Sequence, residues 1–156
     1  SDEYTNPRKR RAMVEKRARK FANVIDRVPA PEIEGPADAD VTLVGWGSTW
    51  GVIHEACEQL ADMGIKANHL PVKWIVPLHG DRILEALSSS KRVIIVENNY
   101  SGQFARYLRS ETGFSAHGHI RKYDGEPFMP HHIVAGVQEQ LADKTDLYVP
   151  THEIMV

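Results

Sequence analysis

The chain has 156 residues, 42% apolar and 26% charged, enough for one domain with its own hydrophobic core. A single cysteine, Cys57, excludes an internal disulfide and fits a cytoplasmic location, and no apolar run approaches the roughly 18–20 residues a bilayer demands. The net charge of −2 conceals a division: residues 1–27 carry nine Lys/Arg against four Asp/Glu, a net of +5, and the remainder ten against seventeen, a net of −7.

The opening Ser-Asp-Glu-Tyr lacks the apolar core of a signal peptide, and Ser1 in place of an initiator methionine reads as an excised fragment or a processed form. Asn6-Pro7 is a helix start, with a side chain able to cap and then a proline whose missing N–H costs nothing. Val14, Ala18, Phe21 and Ile25 follow at helical spacing on one face, and Arg10, Arg11, Arg17, Arg19 and Lys20 cover much of the rest. Residues 1–28 are expected to form a basic amphipathic helix, ended near Val28-Pro29-Ala30-Pro31. Residues 29–40 read as a linker rich in proline and acid, and 41–156 as an α/β domain. The run Arg8-Lys9-Arg10-Arg11 could neutralise phosphates, but the rest of the chain is acidic and shows no nucleic-acid module. The apolar face is too sparse for a membrane surface. The arm's expected partner is its own domain or a neighbouring subunit, with no role for nucleic acid or membrane.

The body repeats an apolar run followed by a helical pattern. Val41–Val44 is the first strand, and Thr49–Met63 the first helix, with Val52, Ala56, Leu60 and Met63 inward and Gly64 as its stop. A second strand is expected near Ile65–Leu70, with Pro71–Pro77 as a connection. Gly80–Leu87 is a short helix carrying Ile83, Leu84 and Leu87. Val93–Val96, four β-branched residues without polar alternation, suits a central strand covered on both faces. Gly102–Ser110, with Phe104, Tyr107 and Leu108 inward, is the next helix. A strand near Gly118–Lys122 follows, then a helix from Pro130 carrying Ile133, Val134, Val137 and Leu141, then an extended segment near Asp146–Val149. The fold class expected is α/β: three layers, doubly wound, with a mostly parallel five-stranded sheet and an additional N-terminal helix.

Two stretches could carry function. Gly45-Trp46-Gly47-Ser48-Thr49-Trp50-Gly51 joins the first strand to the first helix, and Gly45, Gly47, Ser48 and Thr49 form a possible anion turn. It departs from the dinucleotide fingerprint, because Trp50 stands at the third glycine position and Asn68-His69 lie where an acidic residue is expected. Glu97-Asn98-Asn99-Tyr100-Ser101-Gly102-Gln103 places polar groups at a strand's carboxyl end, where open α/β sheets present them. Glu97 is a single carboxylate without the partner that paired acid–base chemistry needs, so Glu97, Asn98, Asn99 and Gln103 read as interface and turn organisers. His117-x-His119 and His131-His132 lack ligands at metal-site spacing, and no metal site is expected. Cys57 reads as a small core residue and His54 as a partly buried one. No residue is assigned a catalytic role, and no cofactor-binding residue can be named.

The combined pattern resembles the alpha subunit of 2-oxoacid:ferredoxin oxidoreductases of the 2-oxoglutarate type. The residues that carry the resemblance are Asn6-Pro7 with Arg11–Arg17, Gly45–Thr49, Glu97–Gln103 and Lys122-Tyr123-Asp124-Gly125-Glu126-Pro127-Phe128. The similarity covers essentially the whole chain and corresponds to the C-terminal region of that subunit, a domain similar to the C-terminal domain of transketolase. The resemblance implies a structural and subunit-assembly domain, inactive alone, within an enzyme that oxidatively decarboxylates a 2-oxoacid to an acyl-CoA. For that holoenzyme it implies thiamine diphosphate, magnesium and iron–sulfur clusters, with a beta subunit, a preceding pyrimidine-binding domain, ferredoxin and coenzyme A as partners. None of these cofactors is expected on this segment. The alternative kept open is a small-ligand module using the Gly45–Gly51 turn for a phosphate, nucleotide or coenzyme A.

Overall fold

The computed structural model describes residues 2–151. They form two compact units: residues up to Ala30 together with Trp74–His79, and Pro31–Lys73 together with the chain from Gly80 onward. In the first unit, a short helix α1 (Asp2–Thr5) precedes α2 (Pro7–Ala22). Asn6 caps α2 as its sequence requires, its Oδ1 accepting from Lys9 N–H at 3.1 Å. The helix stops earlier than expected, and residues Ile25–Arg27 form a separate 3₁₀ turn. No residue of α2 is buried, and Val14 and Phe21 are about half exposed, so the stripe that predicted burial lies open. His79 Nε2–H donates to Val28 carbonyl at 2.9 Å within the same unit.

In the second unit, five strands, β1 (Val41–Trp46), β2 (Ala67–Val72), β3 (Val93–Glu97), β4 (Gly118–Arg121) and β5 (Leu147–Tyr148), lie in the order β2-β1-β3-β4-β5, every pairing parallel. Helix α3 (Trp50–Asp62) packs beside α6 (Pro130–Leu141) on one face, and α4 (Gly80–Leu87) beside α5 (Gln103–Thr112) on the other. These three layers are the architecture that the alternation of runs implied. Because α6 shares the face of α3 while β5 extends the sheet in the direction opposite to β2, the β4–α6–β5 crossover has the opposite hand to the rest. Parallel crossovers rarely do this.

Burial explains the central strand. All five residues of β3 are buried, as a strand covered on both faces should be. Helix α3 buries Ile53, Ala56 and Leu60, with Val52 flanking and Met63 exposed. The inward stripe is thus rotated toward Ile53 from the one expected. Gly45 is the reason α3 can lie so close to β1. A Cβ there would fall 2.2 Å from Ile53 Cδ1 and 2.7 Å from Thr49 Oγ1.

Two boundaries differ from expectation for the same reason, the open edge of the sheet at β2. Pro71 and Val72, expected in a connection, continue the strand. His69 N–H points away from β1, to Glu34 carbonyl at 2.9 Å, so Pro71, two residues on, lacks its N–H on the side where the ladder needs none. The stretch expected as a linker, 29–40, is divided between the units. Glu34 and His69 exchange both backbone hydrogen bonds, Asn68 Nδ2 donates to Pro36 carbonyl, and Asp38 and Asp40 pair with Lys66 and Lys91. Residues 31–40 therefore close the edge rather than hang free.

Gly45→Ala is expected to destabilise the second unit by about 1–3 kcal/mol through overpacking against Ile53. Urea unfolding should show a lower midpoint at unchanged slope.

Candidate functional site

The strand order reverses between β1 and β3, so their carboxyl ends flank the crevice where open α/β sheets receive ligands and partners. Both sequence motifs converge there. The 3₁₀ turn Gly47–Thr49 leaves β1, the loop 98–102 leaves β3, and together they line a cleft of about 120 Å³ with Trp46, Ser48, Asn98, Asn99 and Gln103 on its walls. Gly45, which was grouped with that turn, sits deeper and serves the packing described above.

Glu97 is completely buried beneath the N-terminus of α5. Its Oε1 accepts from Phe104 N–H at 2.7 Å, from Asn99 Nδ2 at 3.1 Å and from Trp46 Nε1 at 3.4 Å, and its Oε2 accepts from Ala105 N–H at 3.3 Å. Asn99 Oδ1 accepts from Gly102 N–H at 2.7 Å and Gln103 N–H at 3.0 Å. Two side chains thus satisfy four amides at the start of one helix, and the carboxylate lies where the helix dipole favours negative charge. An anion is already supplied at this N-terminus by the chain itself. Glu97, expected at an interface, has no surface to offer one and acts by holding the loop in shape.

Gly102 completes the arrangement. It enters α5 at φ +67°, and a Cβ would strike the Arg121 guanidinium at 2.6–2.9 Å. Of the other residues singled out in the sequence, Ser48, Asn98 and Gln103 are exposed, Asn99 is half-buried and Thr49 is buried, its hydroxyl donating to Trp46 carbonyl at 2.9 Å. Trp46, expected to pack against a neighbour, has its ring 6.4 Å from that of Phe104; sequence reasoning missed its bond to Glu97 and the contribution of Arg121. It also missed Tyr100 and Tyr123, which meet edge to face at 5.0 Å and are both exposed beside the site. Alternation along β1 could have aimed Trp46 at α5; nothing local pairs Tyr100 with Tyr123.

Away from this cleft, His69 is buried on the α3 face with neither ring nitrogen hydrogen-bonded. Burial pushes its imidazole down to about 4, against the opposing pull of the Glu34 carboxylate. Burial, with Glu58 assisting, pushes the Cys57 thiol up to about 11, so it remains protonated and unreactive near neutrality. Among the described residues, no three His, Cys, Asp or Glu side chains stand together as a metal site would require, and no helix is long and apolar enough to cross a membrane. Lys122 is buried and paired with Asp124 at 2.5 Å, tying the Lys122–Phe128 segment to itself.

The fold and this strand-end geometry define an α/β domain with an organised crevice, and comparison with known proteins identifies the class. Residues 32–142 match the family described as the transketolase C-terminal domain, and the chain belongs to that family. It is similar to the alpha subunit of 2-oxoacid:ferredoxin oxidoreductase 1 of Aeropyrum pernix, 36% identical over 96% of this chain and 25% of that subunit. It resembles the 2-oxoglutarate:ferredoxin oxidoreductase of Magnetococcus marinus, whose structure holds 2-oxoglutarate, coenzyme A and succinyl-CoA. There the TM-score is 0.76 at 32% identity, covering 87% of this chain and 24% of that one. It also resembles the alpha chain of a probable 2-oxoacid ferredoxin oxidoreductase from Thermoplasma acidophilum, with TM-score 0.52, 34% identity, and 72% and 97% coverage. The chain spans about a quarter of the length of the two Aeropyrum pernix alpha subunits that it matches.

Glu97→Ala should cost about 2–3 kcal/mol and strip hydrogen-exchange protection from the Phe104 and Ala105 amides. Asn99→Ala should cost about 1 kcal/mol and act on Gly102 and Gln103 instead. For His69, the unfolded chain protonates near 6.5 and the folded chain only near 4. Between those values the unfolded state binds more protons, so stability falls as pH drops through that window. Native protein should lose about 2 kcal/mol more than His69→Phe between pH 7 and pH 5, read by urea unfolding.

Proposed function

We propose that the chain is the C-terminal structural and assembly domain of the alpha subunit of a cytoplasmic, thiamine-dependent 2-oxoacid:ferredoxin oxidoreductase, and does not catalyse alone. The observation that carries this reading is Glu97, the strand-end acid, whose two oxygens are spent on Trp46, Asn99 and the amides of α5. A carboxylate so engaged shapes a surface, and that surface presents Asn98, Gln103 and Ser48. We assign it to contact with the beta subunit or with the alpha subunit's pyrimidine-binding domain. In the holoenzyme that this reading implies, thiamine diphosphate with magnesium would supply the decarboxylation chemistry and iron–sulfur clusters the redox chemistry, with coenzyme A and ferredoxin as partners, and all of these would be held outside this chain. This chain's residues do not fit a cysteine-ligated cluster, which needs about four thiolates where the sequence has one cysteine, itself held as a thiol by burial. Its role toward those groups is to hold neighbours in place.

The test is co-purification with the beta subunit. Asn98→Ala with Gln103→Ala should weaken retention roughly fivefold or more while leaving the fold intact. Unchanged retention would remove these two residues from the interface.

A second reading is favoured by the convergence of Gly47, Ser48, Thr49, Asn98, Asn99 and Gln103 around one cleft. The exposed turn could hold a small phosphate-bearing ligand, since α3 begins there without a side-chain cap. Calorimetry with coenzyme A, nucleoside phosphates and inorganic phosphate should give saturable heat that Ser48→Leu abolishes. Silence across that panel retires the reading.

A further inference from the structure

Beside the strand-end shelf, two aromatic side chains stand in solvent. Tyr100, on the loop that leaves β3, is 73% exposed, and Tyr123, just past β4, is 50% exposed. Their rings meet edge to face at 5.0 Å and 84°, so the two form one continuous aromatic surface. A ring left in water adds little to the stability of its own fold. Exposed Tyr and Arg are, by contrast, among the residues that most often carry the energy of a protein–protein contact.

Arg121 connects the two. It ends β4 two residues before Tyr123, and its Nη1 donates to the Tyr100 carbonyl at 3.4 Å, a long bond. Nε is sealed from solvent and out of a partner's reach, whereas Nη2, without a hydrogen bond among the described residues, is not sealed. Arg121 enters no ion pair among the described residues. Glu97, opposite it in register, gives its oxygens to four N–H donors, and Asp124 pairs with Lys122. The close approach of Gly102, where a Cβ would fall 2.6–2.9 Å from the guanidinium, keeps that group in place. A guanidinium so held, with its charge unpaired, is a receptor for a carboxylate.

We propose that Tyr100, Arg121 and Tyr123 anchor the interface assigned above, and that the beta subunit seats an Asp or Glu side chain on Arg121 beside the paired rings. This anchor rests on the reading of the strand-end surface as a subunit contact, and adds the chemistry of the partner. The carboxylate accepts from Nη2 and supplies the counter-charge that this chain leaves unmet, while the rings shield the ion pair from water. A separate subunit is the occupant that needs such an anchor. A domain of the same chain is kept near by its tether at high effective concentration, whereas a subunit is retained by its contacts alone.

The test titrates the alpha subunit that contains this chain with the beta subunit and reads the dissociation constant across a salt series. Tyr123→Ala and Arg121→Ala are each expected to weaken the complex at least about tenfold, and Arg121→Glu to abolish it. Arg121→Lys, which keeps the charge and loses the fork, should retain part of the affinity. Added salt should weaken the native complex more steeply than the Arg121→Ala complex. Tyr123→Ala changes only an exposed ring, so it decides the matter even where an Arg121 variant folds poorly. Hydrogen exchange should protect the Tyr100 and Tyr123 amides only once the beta subunit is added. Native affinity in Tyr123→Ala and Arg121→Ala, with Asn98→Ala plus Gln103→Ala weakened, would overturn the anchor and leave the interface standing. Native affinity in all of them would remove the interface as well. Equal salt dependence of the native and Arg121→Ala complexes would overturn the acidic partner. Protection already present in the alpha subunit alone would give the surface to the pyrimidine-binding domain and overturn the beta subunit as occupant.

Discussion

The Glu97 carboxylate, held without solvent under the first turn of α5, is the interaction on which the arrangement at the carboxyl edge of the sheet depends. Removing a carboxylate from water is costly, and here the cost is offset by three N–H donors from α5 and Asn99, by the Trp46 indole, and by the positive end of a helix. Each of these donors is fixed in turn. Gly102 adopts a conformation and a closeness to Arg121 that a side chain would forbid, and Trp46 is aimed by its place at the end of β1. The result is a rigid shelf beside the point where strand order reverses. Its exposed groups are amides, a hydroxyl and two tyrosine rings. That composition suits recognition between surfaces better than bond making.

Much of this was legible in the sequence, for identifiable reasons. The β-branched run 93–96 announced a strand buried on both faces because no polar residue interrupts it, and Asn6-Pro7 announced a helix because cap and φ are local properties. The two functional stretches were also visible as polar or glycine-rich joints after apolar runs. What remained hidden depends on partners distant in sequence. Pro71 looked like a strand breaker until β2 proved to be an edge. The acidic, proline-bearing stretch 31–40 looked like a linker until Glu34 paired with His69. Ile53 and Val52 both fit a helical stripe, and only the missing side chain of Gly45 selects Ile53. Glu97 looked like an exposed contact residue, since sequence reveals neither burial nor the helix end that faces it.

The same accounting separates the two sides of β1. On the side of α5 the buried Glu97 carboxylate and the first amides of the helix all find partners among Trp46, Asn99 and one another. On the side of α3, His69 is sealed from solvent with neither ring nitrogen hydrogen-bonded among the described residues. The contrast explains why the strand-end motif is best read as architecture even though it carries the more suggestive residues.

Turnover per assembled complex is the direct test of whether Glu97 is architecture or chemistry. Under the proposed function, an alpha subunit carrying Glu97→Ala would be assembled with the beta subunit, the amount of complex quantified, and acyl-CoA formation from a 2-oxoacid measured for that amount. The account predicts that less complex forms and that each complex formed turns over at close to the native rate. Full assembly with acyl-CoA formation abolished would contradict it and make the buried carboxylate a participant in the reaction.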